Sequence, residues 1–140
     1  MNFHIKGLQN TFLAVVGIWT FTFSNLNGFN SDIIRGVELF NTAYDIWSDT
    51  KLKKTDTYFY TLKNRYPQKY EPLYWLTVVN FYLVTYYLFG LEKDYNKKDA
   101  EQYLNRAIAY VKKAIDLNPR DAESYALLGT MLGIGITFKP

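Results

Sequence analysis

The chain has 140 residues and no cysteine, which excludes an internal disulfide framework, a thiolate metal site and a lipid-modified cysteine. Hydrophobic residues make up 49% of it, enough for one packed domain and too many for a disordered polymer. The formal net charge is only +3, and the 13 Tyr, 10 Phe and 3 Trp suit helix pairs that pack large rings while leaving a hydroxyl near water.

The first six residues carry Lys6 and no acid, and an apolar run follows over residues 11–23. At about 13 residues this run fits the hydrophobic region of an export signal better than a bilayer-spanning helix, which needs roughly 20. Ser24, Asn25, Asn27, Gly28, Asn30 and Ser31 then form a polar stretch, with Thr22 and Ser24 as a weak cleavage pattern. Residues 1–24 are therefore read as a signal peptide, with an uncleaved N-terminal anchor and a buried N-terminal helix as alternatives. Cleavage near Asn25 would remove His4, the sole histidine.

Helical spacing begins at Asp32: Ile33, Val37, Phe40, Tyr44 and Trp47 recur at steps of four and three, widened by Ile34 and Ala43. A first helix is expected over residues 31–48, with Ser31 or Asp32 as N-cap. Tyr58, Phe59, Leu62 and Tyr66 predict a second helix over 55–66, closed by Pro67. Around it Lys51, Lys53, Lys54, Lys63, Arg65 and Lys69 face only Asp56. Such a stretch could meet a phosphate backbone, but no nucleic-acid recognition signature accompanies it, and a solvated helix face is the reading taken.

Pro72 suits a first helical turn, and a third helix is expected over 72–91. Its stretch 73–91 carries no charge and is long enough to cross a bilayer. Asn80, Tyr82, Tyr86 and Tyr87 lie within it, whereas membrane helices concentrate tyrosine at the interfaces, so a helix buried by several neighbours is the better fit. Gly90, Glu92, Lys93 and Asp94 mark a loop, and Asn96 can cap the next helix. That fourth helix places Ala100, Tyr103, Leu104, Ala107, Ile108, Val111, Ala114 and Ile115 on one face, with Glu101, Arg106, Lys112, Lys113 and Asp116 opposite. Pro119 ends it, and a fifth helix starts near Asp121, carries Tyr125, Leu128, Gly129 and Leu132 inward, and weakens at Gly133 and Gly135.

The segment from Ala107 to Gly129 resembles the junction between two tetratricopeptide repeats. Ala107, Val111, Ala114 and Pro119 match the second-helix and turn pattern, and Tyr125, Leu128, Gly129 and Leu132 match the first helix of the next repeat. Upstream, Tyr74, Thr77, Val78 and Phe81 can take the first-helix positions, although Val78 stands where a small residue is usual. The expected architecture is all-α: antiparallel helix hairpins in degenerate repeats, about five helices over residues 31–140 after the signal-like segment. The last helix would expose an apolar face at the C-terminal end, so a fragment of a longer array, a covering partner or self-association is expected there.

The resemblance implies an interaction scaffold, similar to exported bacterial proteins of this repeat type and hence periplasmic. First helices line the concave surface in that family, which places Trp75, Val79 and Tyr82 on a groove for an extended peptide; the competing reading makes the three ordinary core. Catalysis, cofactor and metal are not expected: there is no P-loop, dinucleotide fingerprint or histidine beyond His4. The carboxylate pairs Asp45/Asp49, read as four apart on one helix, and Glu92/Asp94 are taken as solvated charges. The alternative to a protein-binding scaffold is a small membrane protein with helices at 11–23 and 73–91 and the basic stretch as a cytoplasmic loop.

Overall fold

A computed structural model describes residues 28–90 and 95–139, which form five α-helices and no strand among them. The helices are α1 (Gly28–Asp45), α2 (Asp49–Arg65), α3 (Glu71–Phe89), α4 (Lys97–Leu117) and α5 (Ala122–Ile136). The signal-like segment 1–24, its run 11–23, His4 and the Glu92/Asp94 pair lie outside the described residues.

α1 buries Phe29, Ile33, Gly36, Phe40 and Ala43, a stripe at steps of three and four. It already includes Gly28, so the expected caps Ser31 and Asp32 lie inside it, and Asp32 has a different task. Its Oδ2 accepts from Arg65 Nη1 at 3.0 Å and from the Tyr66 hydroxyl at 2.7 Å, while its backbone carbonyl accepts from the Tyr58 hydroxyl at 2.9 Å. The start of α1 is thereby tied to the end of α2, so the two run antiparallel.

The turn after α1 closes with two bonds, Trp47 N–H to Tyr44 O at 3.0 Å and Ser48 N–H to Ala43 O at 3.1 Å. This is the Schellman pattern, and Trp47 occupies its left-handed position with φ of 50°. Ser48 then caps α2 by accepting from Lys51 N–H at 3.3 Å. α2 thus starts at Asp49 rather than Thr55. Its first turns hold a single apolar residue, Leu52, so apolar periodicity could not reveal them; the cap does. Asp45 ends one helix and Asp49 begins another, so the pair does not share a helix face.

α3 is the central element. It packs against α2 and α4 and touches α1 and α5, which buries 12 of its 19 residues. Covering on several sides explains why it carries no charge beyond Glu71 in its first turn, and no helix among the described residues is long and apolar enough to cross a membrane. The Tyr87 hydroxyl at its end donates to Asp49 Oδ2 at the start of α2, 3.1 Å away. Burial acts to raise the Asp49 carboxyl, but hydrogen bonds from Lys53 and Tyr87 outweigh it and hold the group below its ordinary value.

Asn96 caps α4 by accepting from Asp99 N–H at 3.0 Å, as its sequence position predicts. Ala100, Leu104, Ala107, Val111 and Ala114 are buried along one face. Tyr103, in the first part of α4, stacks on Tyr87 with centroids 5.8 Å apart and planes 3° from parallel, so α4 runs back along α3. Asp121 caps α5 through Ser124 N–H at 3.3 Å. The Tyr74 hydroxyl of α3 donates to Glu123 Oε2 at 2.8 Å, which sets the starts of α3 and α5 side by side.

The inward face of α5 differs from the expectation. Ser124, Leu127 and Met131 are buried, Leu128 is half-buried and Gly129 is exposed, while Tyr125 and Leu132 are 49% and 50% exposed. The physical reason is that Glu123 is the only charged residue of this helix, so two apolar stripes run along it and no polar face chooses between them. Gly133 and Gly135 do not end the helix, which continues to Ile136.

Candidate binding surface

The last turns of α1 and one face of α3 bring six rings into a continuous array. The Phe40 centroid lies 5.6 Å from Trp75 and 5.2 Å from Tyr82. Tyr82 also meets Tyr44 at 5.3 Å and Trp47 at 6.4 Å, and Trp47 meets Tyr86 at 5.9 Å. Below this array, Phe59 of α2 stacks on Trp75 at 5.7 Å with planes 9° apart. Phe40, Phe59 and Tyr82 are buried, whereas Tyr44, Trp47, Trp75 and Tyr86 are half-buried. The array therefore has a closed floor and an aromatic rim open to water.

Of the three residues expected to line a groove, only Trp75 reaches this rim. Val79 is fully buried and Tyr82 is 5% exposed, so both belong to the core; α3 turns them between its neighbours. Tyr44, Trp47 and Tyr86 are the rim residues that sequence reasoning missed. Tyr44 and Trp47 lie on the apolar stripe of α1, and spacing alone does not separate the middle of a stripe from its edge.

Trp47 carries the clearest geometric signal. Glycine is the usual residue at the left-handed end of a Schellman turn, and an L-residue there costs roughly 1–2 kcal/mol. Contacts with Tyr44, Tyr82 and Tyr86 hold the indole in place against that cost. Tyr82 is shaped by the same packing: burial, reinforced by Tyr44, pushes its hydroxyl up to about 12. It stays neutral at any physiological pH.

The remaining residues singled out from the sequence are dispersed. Ala107, Val111 and Ala114 are fully buried on α4, Pro119 is exposed at the turn, and Tyr125 and Gly129 face outward on α5. The basic stretch has largely found partners within the fold. Lys53 pairs with Asp49 at 3.0 Å, Arg65 pairs with Asp32, Lys63 lies 4.4 Å from the centroid of Tyr60, and Lys69 lies 5.2 Å from that of Phe29. Asp56 turns inward instead of balancing the lysines. Among the described residues no three histidine or acidic side chains converge as a metal ion would require.

The chain matches no protein-family model, no curated protein and no solved structure.

Proposed function

We propose that this chain is a non-catalytic, exported protein-interaction scaffold built from degenerate tetratricopeptide-like hairpins, and that its aromatic rim takes an extended peptide segment. The observation that carries the reading is the combination of Tyr44, Trp47, Trp75 and Tyr86 half-open to water on a floor of buried rings. Large, rigid amphipathic rings give contact area at low cost in side-chain entropy, which is why Tyr and Trp dominate binding hot spots. The left-handed Trp47 favours the same reading, because packing maintains an indole at a position where glycine would be easier. The repeat resemblance around Pro119 and the signal-like residues 1–24 support a scaffold that works outside the cytoplasm.

The test is selection of peptides from a random displayed library on the full-length protein, followed by binding measurements on Trp75→Ala, Trp47→Ala and Tyr86→Ala. Enriched peptides should bind the wild type and lose at least about tenfold in affinity with two of the three variants, the range of a hot-spot truncation. Circular dichroism on each variant separates lost binding from lost fold. Failure to enrich any sequence, or enriched peptides indifferent to all three folded variants, would sink the proposal.

A further inference from the structure

The outward face of α5 is apolar along its whole length. Tyr125, Leu132 and Ile136 are 49%, 50% and 69% exposed, and Ala122, Ala126, Gly129 and Gly133 fill the space between them. No charged side chain lies on this face. Among the described residues its two glycines have no packing task, since a Cβ built on either Gly129 or Gly133 meets nothing there within 4 Å. Gly36 makes the contrast clear: a Cβ there would collide with the Phe59 ring, so its absence serves the fold.

We infer that this face is the contact between two copies of the chain, paired antiparallel about a two-fold axis at Gly129. The sequence order on the face is what selects a second copy as the occupant. In that arrangement Tyr125 of one copy stands over Gly133 of the other, Leu132 over Ala126 and Ile136 over Ala122, while the two Gly129 residues face each other. Each large side chain meets a small one, and the close crossing needs glycine at its centre. A two-fold contact must be complementary to itself, and the absence of charge means no like pair is forced together. An open cleft of about 390 Å³ between α4 and α5 adjoins this face at Leu132 and Ile136; Ile108 and Phe138 give it an apolar side, and Glu101, Asn105 and Lys139 a polar one.

A helix of 15 residues is about 22 Å long, so the contact is smaller than a standard interface and the dimer is reversible. Sedimentation velocity of the full chain from low to high micromolar concentration should show a monomer passing to a dimer. Gly129→Arg should keep the helical circular dichroism, because nothing among the described residues occupies that space, and should abolish the dimer. The register has its own test, made possible by the absence of native cysteine. Under mild oxidant, Gly129→Cys should form a disulfide dimer about tenfold faster than Thr57→Cys on the exposed face of α2, as the contact raises its effective concentration. Tyr125→Cys should cross-link with Gly133→Cys in a mixture and poorly with itself. A chain that stays monomeric throughout, a dimer that survives Gly129→Arg, or equal cross-linking at positions 129 and 57 would overturn the inference. None of these readouts depends on the aromatic rim, so the two proposals stand or fall separately.

Discussion

Arg106 of α4 reaches across the chain to Asp56 of α2, with Nη2 and Oδ2 2.7 Å apart, and Asn80 of α3 completes the link by donating from Nδ2 to Asp56 Oδ1 at 2.6 Å. Three helices are thus pinned at one level by groups with strict partner requirements. The Asn80 amide is oriented by two acceptors, Asp56 and the Leu76 carbonyl at 2.7 Å, and its own oxygen is buried without a hydrogen bond. The Asp56 side chain is only 11% exposed and that of Arg106 is 36% exposed, so the pair is sheltered on one side.

Asp56→Ala leaves Arg106 without its carboxylate and removes an acceptor from Asn80. Breaking a buried pair costs about 3–5 kcal/mol, and solvent access to Arg106 reduces this to roughly 2–4 kcal/mol. The loss is read as a lower midpoint in urea unfolding. Asp56→Leu combined with Arg106→Met should recover the part that comes from the unpaired charge, while Asn80 still lacks its second acceptor, so the double variant should fall between Asp56→Ala and the wild type.

Gly36→Ala should destabilise the chain although alanine favours helix. A Cβ at residue 36 would run into the Phe59 ring, with Cε1 at 2.6 Å, and would also crowd Tyr58 at 3.0 Å. Phe59 is itself stacked on Trp75, so it has little freedom to yield. Overpacking of about 1–3 kcal/mol should exceed the helix-propensity gain of roughly 1 kcal/mol. Gly133→Ala, studied at concentrations where the chain is monomeric, should show the gain alone and raise the thermal midpoint. The opposite signs of the two substitutions are the outcome to check.

How far the residues foretold this arrangement depended on whether a local signal existed. α4 was legible because Asn96, the apolar stripe ending at Ile115 and Pro119 all point to the same helix, and its cap and buried face are as expected. α2 was half legible, since Leu52 is the one apolar residue in its first turns and Ser48 the only sign of its start. The face of α5 could not be chosen without its neighbours. For the rim the difficulty was greater: Trp75, Val79 and Tyr82 share one side of α3, and only the position of α1, with Phe40 and Tyr44 against that side, decides which of them meet water.

Trp47 makes opposing contributions to stability, and two substitutions separate them. Trp47→Ala removes the ring contacts and keeps an L-residue at φ of 50°, whereas Trp47→Gly removes the same contacts and relaxes the backbone. Both variants should be less stable than the wild type through lost ring packing. Trp47→Gly should nevertheless exceed Trp47→Ala by about 1 kcal/mol, against the usual helix-propensity order of the two residues. Urea unfolding of the two variants side by side gives the ranking, and an alanine variant equal to or more stable than the glycine one would contradict the left-handed turn.

Alkaline pH should unfold the chain through its buried tyrosines. The Tyr82 hydroxyl is pushed from 10.0 up to about 12 by burial, and Tyr74 is raised further by burial and its hydrogen bond to Glu123. A folded-state value above the unfolded one means that the folded chain holds the proton more tightly. The resulting stability is fully present below pH ~10 and is lost as pH rises through the folded value, because the unfolded state ionises first. Two pKa units correspond to about 2–3 kcal/mol at Tyr82. Stability measured by urea should therefore be flat from neutral pH to about 10 and fall steeply toward 12, with phenolate absorbance appearing together with the loss of helix. Tyr82→Phe has no proton to lose at that position. It should shift the alkaline midpoint upward and flatten the slope, while leaving stability at neutral pH nearly unchanged, since the ring contacts with Phe40, Tyr44 and Trp47 remain. An unaltered alkaline transition in Tyr82→Phe would place the titrating group elsewhere.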